Sequence, residues 1–167
     1  MKIAIIYGTN LGNTATIAKL IGKELNINKK DIFDVNDAKA EELNSYDAFI
    51  MGTSTWGIGD MADGWKEFEF KKLKLDNKVV AIFGLGDSQI YTFSFCNGMG
   101  ELHRALQKSN KKIKIVGYVD TKNYTFSESK AIYKNKFVGL ALDYDNFPEQ
   151  VESQIKNWIK DIKKYFI

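Results

Sequence analysis

The chain has 167 residues, 44% of them hydrophobic and 27% charged, with a net charge of +3. This suits one globular domain spanning residues 1–167 and excludes a disordered chain. The single cysteine, Cys96, excludes an intramolecular disulfide, the single histidine, His103, excludes a multi-histidine metal centre, and no apolar run approaches the ~20 residues that span a bilayer.

The charge is unevenly spread. Residues 1–83 carry 11 basic and 12 acidic side chains, and residues 84–167 carry 13 and 9. Arg104 is the only arginine among the 24 basic residues, although the arginine fork is what reads base edges and clamps phosphates, so nucleic-acid binding is not expected. An unpaired thiol with no export signal before Ile3 points to a reducing cytoplasm.

Along the chain, short apolar runs alternate with helix-period segments. The strands predicted are Lys2–Tyr7, Asp31–Asp34, Ala48–Gly52, Lys78–Phe83 and Lys114–Tyr118. Their spacing suits βαβ units, and the near-continuous hydrophobicity of Ile3–Ile6 and Val79–Phe83 suits strands covered on both faces. A doubly wound α/β fold with a five-stranded parallel sheet follows. Ile17, Leu20, Ile21 and Leu25 mark a first helix, Lys39–Leu43 a brief second, Ala62–Phe70 an irregular third, and Met99, Leu102 and Leu106 a fourth. The last helix opens at Pro148, the only proline, and carries the stripe Val151, Ile155, Trp158, Ile159 and Ile162. The polar stretch Asp120–Lys136 interrupts the fifth strand as an insertion, and Phe137–Leu142 resumes the strand beyond it.

In such a sheet ligands bind beyond the carboxyl ends of the strands, which singles out three loops. The first is Gly8-Thr9-Asn10-Leu11-Gly12-Asn13-Thr14, before a helix. Its amides, hydroxyls and the helix dipole suit a phosphate, without the lysine of a nucleotide P-loop; a plain capped turn reads equally from these residues. The second, Thr53-Ser54-Thr55-Trp56-Gly57-Ile58-Gly59-Asp60, sets an indole among glycines, either to stack on a flat ligand or to pack on Trp65 or Phe68. The third, Gly84-Leu85-Gly86-Asp87-Ser88-Gln89-Ile90-Tyr91, again pairs glycines with an aromatic. Together the three specify a phosphorylated planar cofactor. Cys96 reads as a structural thiol and His103 as a helix-surface residue.

These motifs resemble a flavodoxin of the long-chain subclass, nearly end to end. Thr9–Thr14 is similar to the family's FMN-phosphate loop, Thr55–Gly59 to its first ring loop, and Gly84, Leu85, Gly86 and Asp87 with Tyr91 and Phe95 to its second; Thr53 and Ser54, just before the first ring loop, are expected to bind the cofactor with it, and the insertion followed by Phe137–Asn146 resembles the long-chain segment. The resemblance implies strand order 2-1-3-4-5 and non-covalent FMN. It also implies a low-potential one-electron carrier, not an enzyme, that meets redox partner proteins transiently as a monomer, off the membrane. It further implies a neutral semiquinone favoured by a flip of the Gly57–Ile58 peptide, which glycine permits. Asp60, Asp63, Glu67 and Asp87 are the acids expected to disfavour a reduced, anionic ring. Leu11, where the family has a hydroxyl, Phe93 and the positive net charge depart from the pattern. A signalling receiver is excluded, since Gly8-Thr9-Asn10 and Met51-Gly52-Thr53 offer neither its acids nor its phosphoacceptor aspartate. A flavin-dependent quinone reductase and a non-redox FMN-binding module are the alternatives.

Overall fold

The run Ile3–Tyr7 folds as a strand because branched side chains favour extended backbone and helices cover both of its faces. The computed structural model describes residues 1–167. Strand β1 (Ile3–Gly8) is followed by α1 (Asn13–Glu24), β2 (Ile32–Asp34), α2 (Ala40–Leu43) and β3 (Ala48–Thr53). A small hairpin, β4 (Thr55–Trp56) and β5 (Asp60–Met61), leads into α3 (Asp63–Glu67), β6 (Val79–Leu85) and α4 (Asn97–Ser109). Then come β7 (Lys114–Val116), β8 (Val119–Asp120), β9 (Ile132–Tyr133), β10 (Lys136–Phe137), β11 (Leu140–Leu142) and α5 (Pro148–Ile162). No helix is long and apolar enough to cross a membrane.

The central sheet runs β2-β1-β3-β6-β11, all parallel, and β7 also pairs with β6. The order 2-1-3-4-5 is therefore observed with its fifth strand in two pieces. β7 lies beside the first half of β6, from Val79↔Lys114 to Ala81↔Val116, and β11 beside the second, from Leu140↔Phe83 to Leu142↔Leu85. The predicted strand to Tyr118 ends early at Val116. Gly117 turns the chain with φ +83°, and its carbonyl accepts a 2.8 Å bond from the Trp158 indole of α5.

Successive strand residues point to opposite faces, and each face has its own core. Ile5, Ile50, Ala81 and Phe83 meet Ile17 and Ile21 of α1 and Val151, Ile155 and Trp158 of α5. Ile6, Phe49, Met51 and Ile82 meet Leu43, Trp65, Met99, Leu102 and Leu106 from α2, α3 and α4. The apolar stripe of α5 is thus core, as its 3.6-residue spacing predicts.

The insertion is more ordered than its polarity suggests. β8, β10 and β9 form an antiparallel sheet, closed by a two-residue turn at Lys134 and Asn135 with φ of 50° and 65°. Before it, Tyr124 and Phe126 turn inward: Tyr124 sits 4.9 Å and Phe126 5.3 Å from the Phe137 ring, and the Tyr124 hydroxyl donates to the Ala141 carbonyl at 2.8 Å.

Candidate functional site

Because all strands of a parallel sheet end on one edge, the loops after β1, β3, β6 and β11 open together there. They enclose a cleft of about 450 Å³ lined by residues of all four loops, with no Lys, Arg or His in its wall.

The first loop approaches α1 through Gly12, whose φ of +101° a residue with a side chain would adopt only under strain. Gly12 caps the helix without a side-chain bond, and no acid lies in the first turn, so the helix presents a free positive dipole end. Two side chains expected to be donors also shape the loop through bonds within the protein. Thr9 Oγ1 accepts from the Gly12 amide at 2.8 Å, and the Asn10 amide exchanges bonds of 3.2 and 3.3 Å with Asp63, pinning the loop to α3. Thr14 differs: fully buried on the cleft wall, its Oγ1 has no partner. Leu11 also lines the cleft and is 80% exposed.

The hairpin β4–β5 holds the second loop. Its Thr55 Oγ1 accepts from the Gly98 amide at 3.1 Å and its Met61 amide donates to Glu101 at 2.9 Å, so α4 fixes it from behind. Gly57 and Gly59 make its tip with φ of +57° and +99°. Trp56 is 42% exposed, lines the cleft and pairs with no other ring, whereas Trp65 is fully buried, stacks on Phe70 at 5.6 Å and donates to the Gly52 carbonyl. The packed alternative for Trp56 is therefore not formed. Ser54 supplies a second buried hydroxyl without a partner.

From the third loop Leu85, Gly86, Asp87, Tyr91 and Ser94 line the cleft, and Tyr91 is half exposed and unpaired with any ring. Asp87 accepts from the Ile90 and Gln89 amides at 2.9 and 3.0 Å and from Asn146 at 2.7 Å. Burial pushes its pKa up, but those bonds outweigh burial and hold it below the usual carboxylate range. Asp145 is pushed up by burial first and then by Asp87 and Asp143.

Six predicted residues do not line the cleft. Phe95 is fully buried among Tyr124, Phe126 and Phe137, because the insertion supplies the rings that cover it. Thr53 is also buried, its Oγ1 accepting from the Ala62 amide and donating to the Ser54 carbonyl, both at 2.9 Å. Gly84 backs onto Met99 inside β6, Gly59 onto Asn97, and Ile58 projects into solvent at 98% exposure. Gly12 shapes the first loop without lining the cleft. Sequence reasoning missed Ser94 and Asp145. The strand-end rule that selected three loops applies equally to the fifth strand and would have found Asp145. The acids also redistribute: Asp60 and Asp63 are offset by Lys66 at 3.1 and 3.9 Å, and Glu67 faces a separate hollow with Val35 and Phe68. Asp87 and Asp145 are the acids at the cleft.

Two further groups lie behind these loops. Cys96 is fully buried, burial pushes its thiol up, and it points at the Gly84 carbonyl from 3.7 Å. His103 is buried, not on the helix surface. Its Nε2 lies 2.8 Å from the Tyr118 hydroxyl, and burial, then Arg104, lowers its pKa to about 4. The unfolded chain binds this proton near 6.5, so stability falls as pH drops from about 7 to 4 and levels below that. Urea unfolding is expected to lose ~2 kcal/mol more across that window in the wild type than in His103→Gln.

This geometry offers an anionic tail a helix end and unpartnered hydroxyls, and offers a flat ring two free aromatic faces. The family model described as flavodoxin matches residues 5–158. The chain belongs to the flavodoxin family. It is 40% identical to the flavodoxin of Synechocystis over 165 residues, covering 97% of this chain and 96% of that one. To the flavodoxin of Buchnera aphidicola subsp. Baizongia pistaciae it is 38% identical over 165 residues, 97% of this chain and 94% of the other. Among solved structures, Fusobacterium nucleatum flavodoxin bound to flavin mononucleotide superposes with a TM-score of 0.85 at 32% identity, covering 98% of both chains. Length and the 120–136 insertion place the chain with the long-chain flavodoxins.

Proposed function

We propose that the cleft binds one FMN without a covalent bond and that this flavodoxin carries single electrons at low potential between redox partner proteins. One observation carries the reading: two buried hydroxyls without partners, Thr14 Oγ1 and Ser54 Oγ, line the same cleft as two unpaired aromatic rings, Trp56 and Tyr91. A buried hydroxyl left unbonded costs about 1–3 kcal/mol, a cost that a phosphate or polyol occupant relieves. The residues present therefore fit the group. Thr14, Asn13 and the first-turn amides of α1 would hold the phosphate, Ser54 the chain beyond it, and Trp56 and Tyr91 the ring.

Bound FMN supplies the one-electron couple. The protein sets how hard it reduces. The cleft wall holds no cation, Asp87 is kept ionised by its three hydrogen bonds, and Asp145 stands beside it, so added negative charge is disfavoured.

Partners would meet the mouth of the cleft. Leu11, Ile58, Ile90 and Phe93, each at least 69% exposed, belong to the loops that form it. Segments 8–14, 54–63, 84–97 and 143–149 carry no Lys, Arg or His, and the last three carry acids, although the chain as a whole is +3. An apolar partner face with a basic rim fits this surface, brief contact suits exchange, and the positive net charge resides elsewhere. In this role residues 1–167 work as one monomeric unit in the cytoplasm, where the lone Cys96 stays reduced, with neither nucleic acid nor membrane as a partner.

Spectroelectrochemical titration of the FMN-loaded protein tests this. Two separated one-electron steps are expected, the lower more negative than that of free FMN. A single two-electron step with rapid turnover of a small quinone would favour a reductase, and an occupant that cannot be reduced in place would favour a non-redox module.

A further inference from the structure

The insertion is stitched to the loop that carries Tyr91. The amides of Ser127 and Glu128 both donate to the Thr92 carbonyl at 2.9 Å, and the Ser127 amide also reaches Thr92 Oγ1 at 2.8 Å. Thr92 Oγ1 in turn donates to Ser127 Oγ at 3.2 Å. Three residues on, the Phe95 amide donates to the Glu128 carbonyl at 3.3 Å and Ser129 Oγ donates to the Phe95 carbonyl at 2.5 Å. Beneath this seam the Phe95 ring is closed off by Phe126 at 5.6 Å and Phe137 at 5.8 Å.

The other end of the same loop is held by the segment after β11. Asp143 Oδ2 accepts from the Ser88 amide at 3.0 Å and from its hydroxyl at 2.6 Å. Between these footings Gln89, Ile90 and Tyr91 stand exposed.

We propose that the 121–131 segment is a brace that positions Tyr91 over the cleft, with Thr92 as the positioning residue through which it acts. The inference rests on the reading of Tyr91 as cover for a flavin ring. Exposed loop residues are costly to order, and ordering them during folding rather than on binding raises affinity for whatever they cover. The brace therefore acts on the ring and leaves the helix end that takes the phosphate untouched.

Riboflavin, which has the ring and no phosphate, and inorganic phosphate separate the two halves of the site. Thr92→Val keeps the side-chain shape and removes the hydroxyl; Ser129→Ala removes the second tie. Each is expected to weaken riboflavin binding by the apoprotein about tenfold, with phosphate binding unchanged. Amide hydrogen exchange over residues 88–95 should quicken about tenfold, and Thr92→Ser should restore both readouts. Should Thr92→Val fail to fold, Ser129→Ala carries the test. Riboflavin affinity and exchange equal to wild type in these variants, or riboflavin and phosphate affinity falling together, would overturn the brace. A wild-type protein that binds phosphate but not riboflavin would instead overturn the cofactor reading, and the exchange rates of the apoprotein would still decide for or against the brace.

Discussion

Thr14→Val is expected to weaken FMN binding by about 10- to 100-fold while making the apoprotein more stable by about 1 kcal/mol. The opposite signs follow from one buried atom. Thr14 lies in the first turn of α1, fully buried, and its Oγ1 has no partner in the protein. Valine matches threonine in shape, so the substitution removes an unsatisfied hydroxyl without opening a cavity, and the empty protein gains. In the loaded protein the same hydroxyl becomes a charge-assisted donor to a dianionic phosphate, in a loop that offers no lysine or arginine. Thermal or urea unfolding of the apoprotein reads one arm and FMN titration the other. A Thr14 hydroxyl that only served the fold would lower both.

Trp56→Ala and Tyr91→Ala should each cost about 10- to 100-fold in FMN affinity, since stacking a base or similar ring on an aromatic contributes ~1–3 kcal/mol. Neither side chain packs on another ring, and both are about half exposed, so apoprotein stability should change by less than ~0.5 kcal/mol. Phosphate affinity should hold, because Thr14 and the helix end are intact in both variants. Isothermal titration with FMN and then with inorganic phosphate distinguishes this from a general loosening of the site. A loss shared equally by both ligands would mean that the rings prop the loops rather than contact the flavin.

Much of this was legible in the sequence, for physical reasons that differ by element. The sheet could be read because parallel strands covered on both faces leave long apolar runs, as in Val79–Phe83, and the last helix because Pro148 and a 3.6-residue stripe mark it. The cleft loops could be read because glycines and exposed aromatics sit at strand ends, where a packed core cannot use them. What failed depended on partners far along the chain. Phe95 looks like a ring-loop aromatic until residues 124–137 fold over it. His103 looks like a surface residue until Tyr118 meets it across 15 positions. Asp60 and Asp63 look like free acids beside the ring until Lys66 turns back toward them. Local spacing carries none of these pairings, since each is made by tertiary packing.

Whether Trp56 and Tyr91 enclose a flavin can be measured directly. Adding FMN to the purified apoprotein and following flavin emission measures this, because a flavin stacked on indole and phenol rings ceases to fluoresce. Complete quenching at one equivalent is predicted, and it should be lost in the Trp56→Ala, Tyr91→Ala double variant. Emission that stays at the level of free FMN throughout the titration would contradict the account.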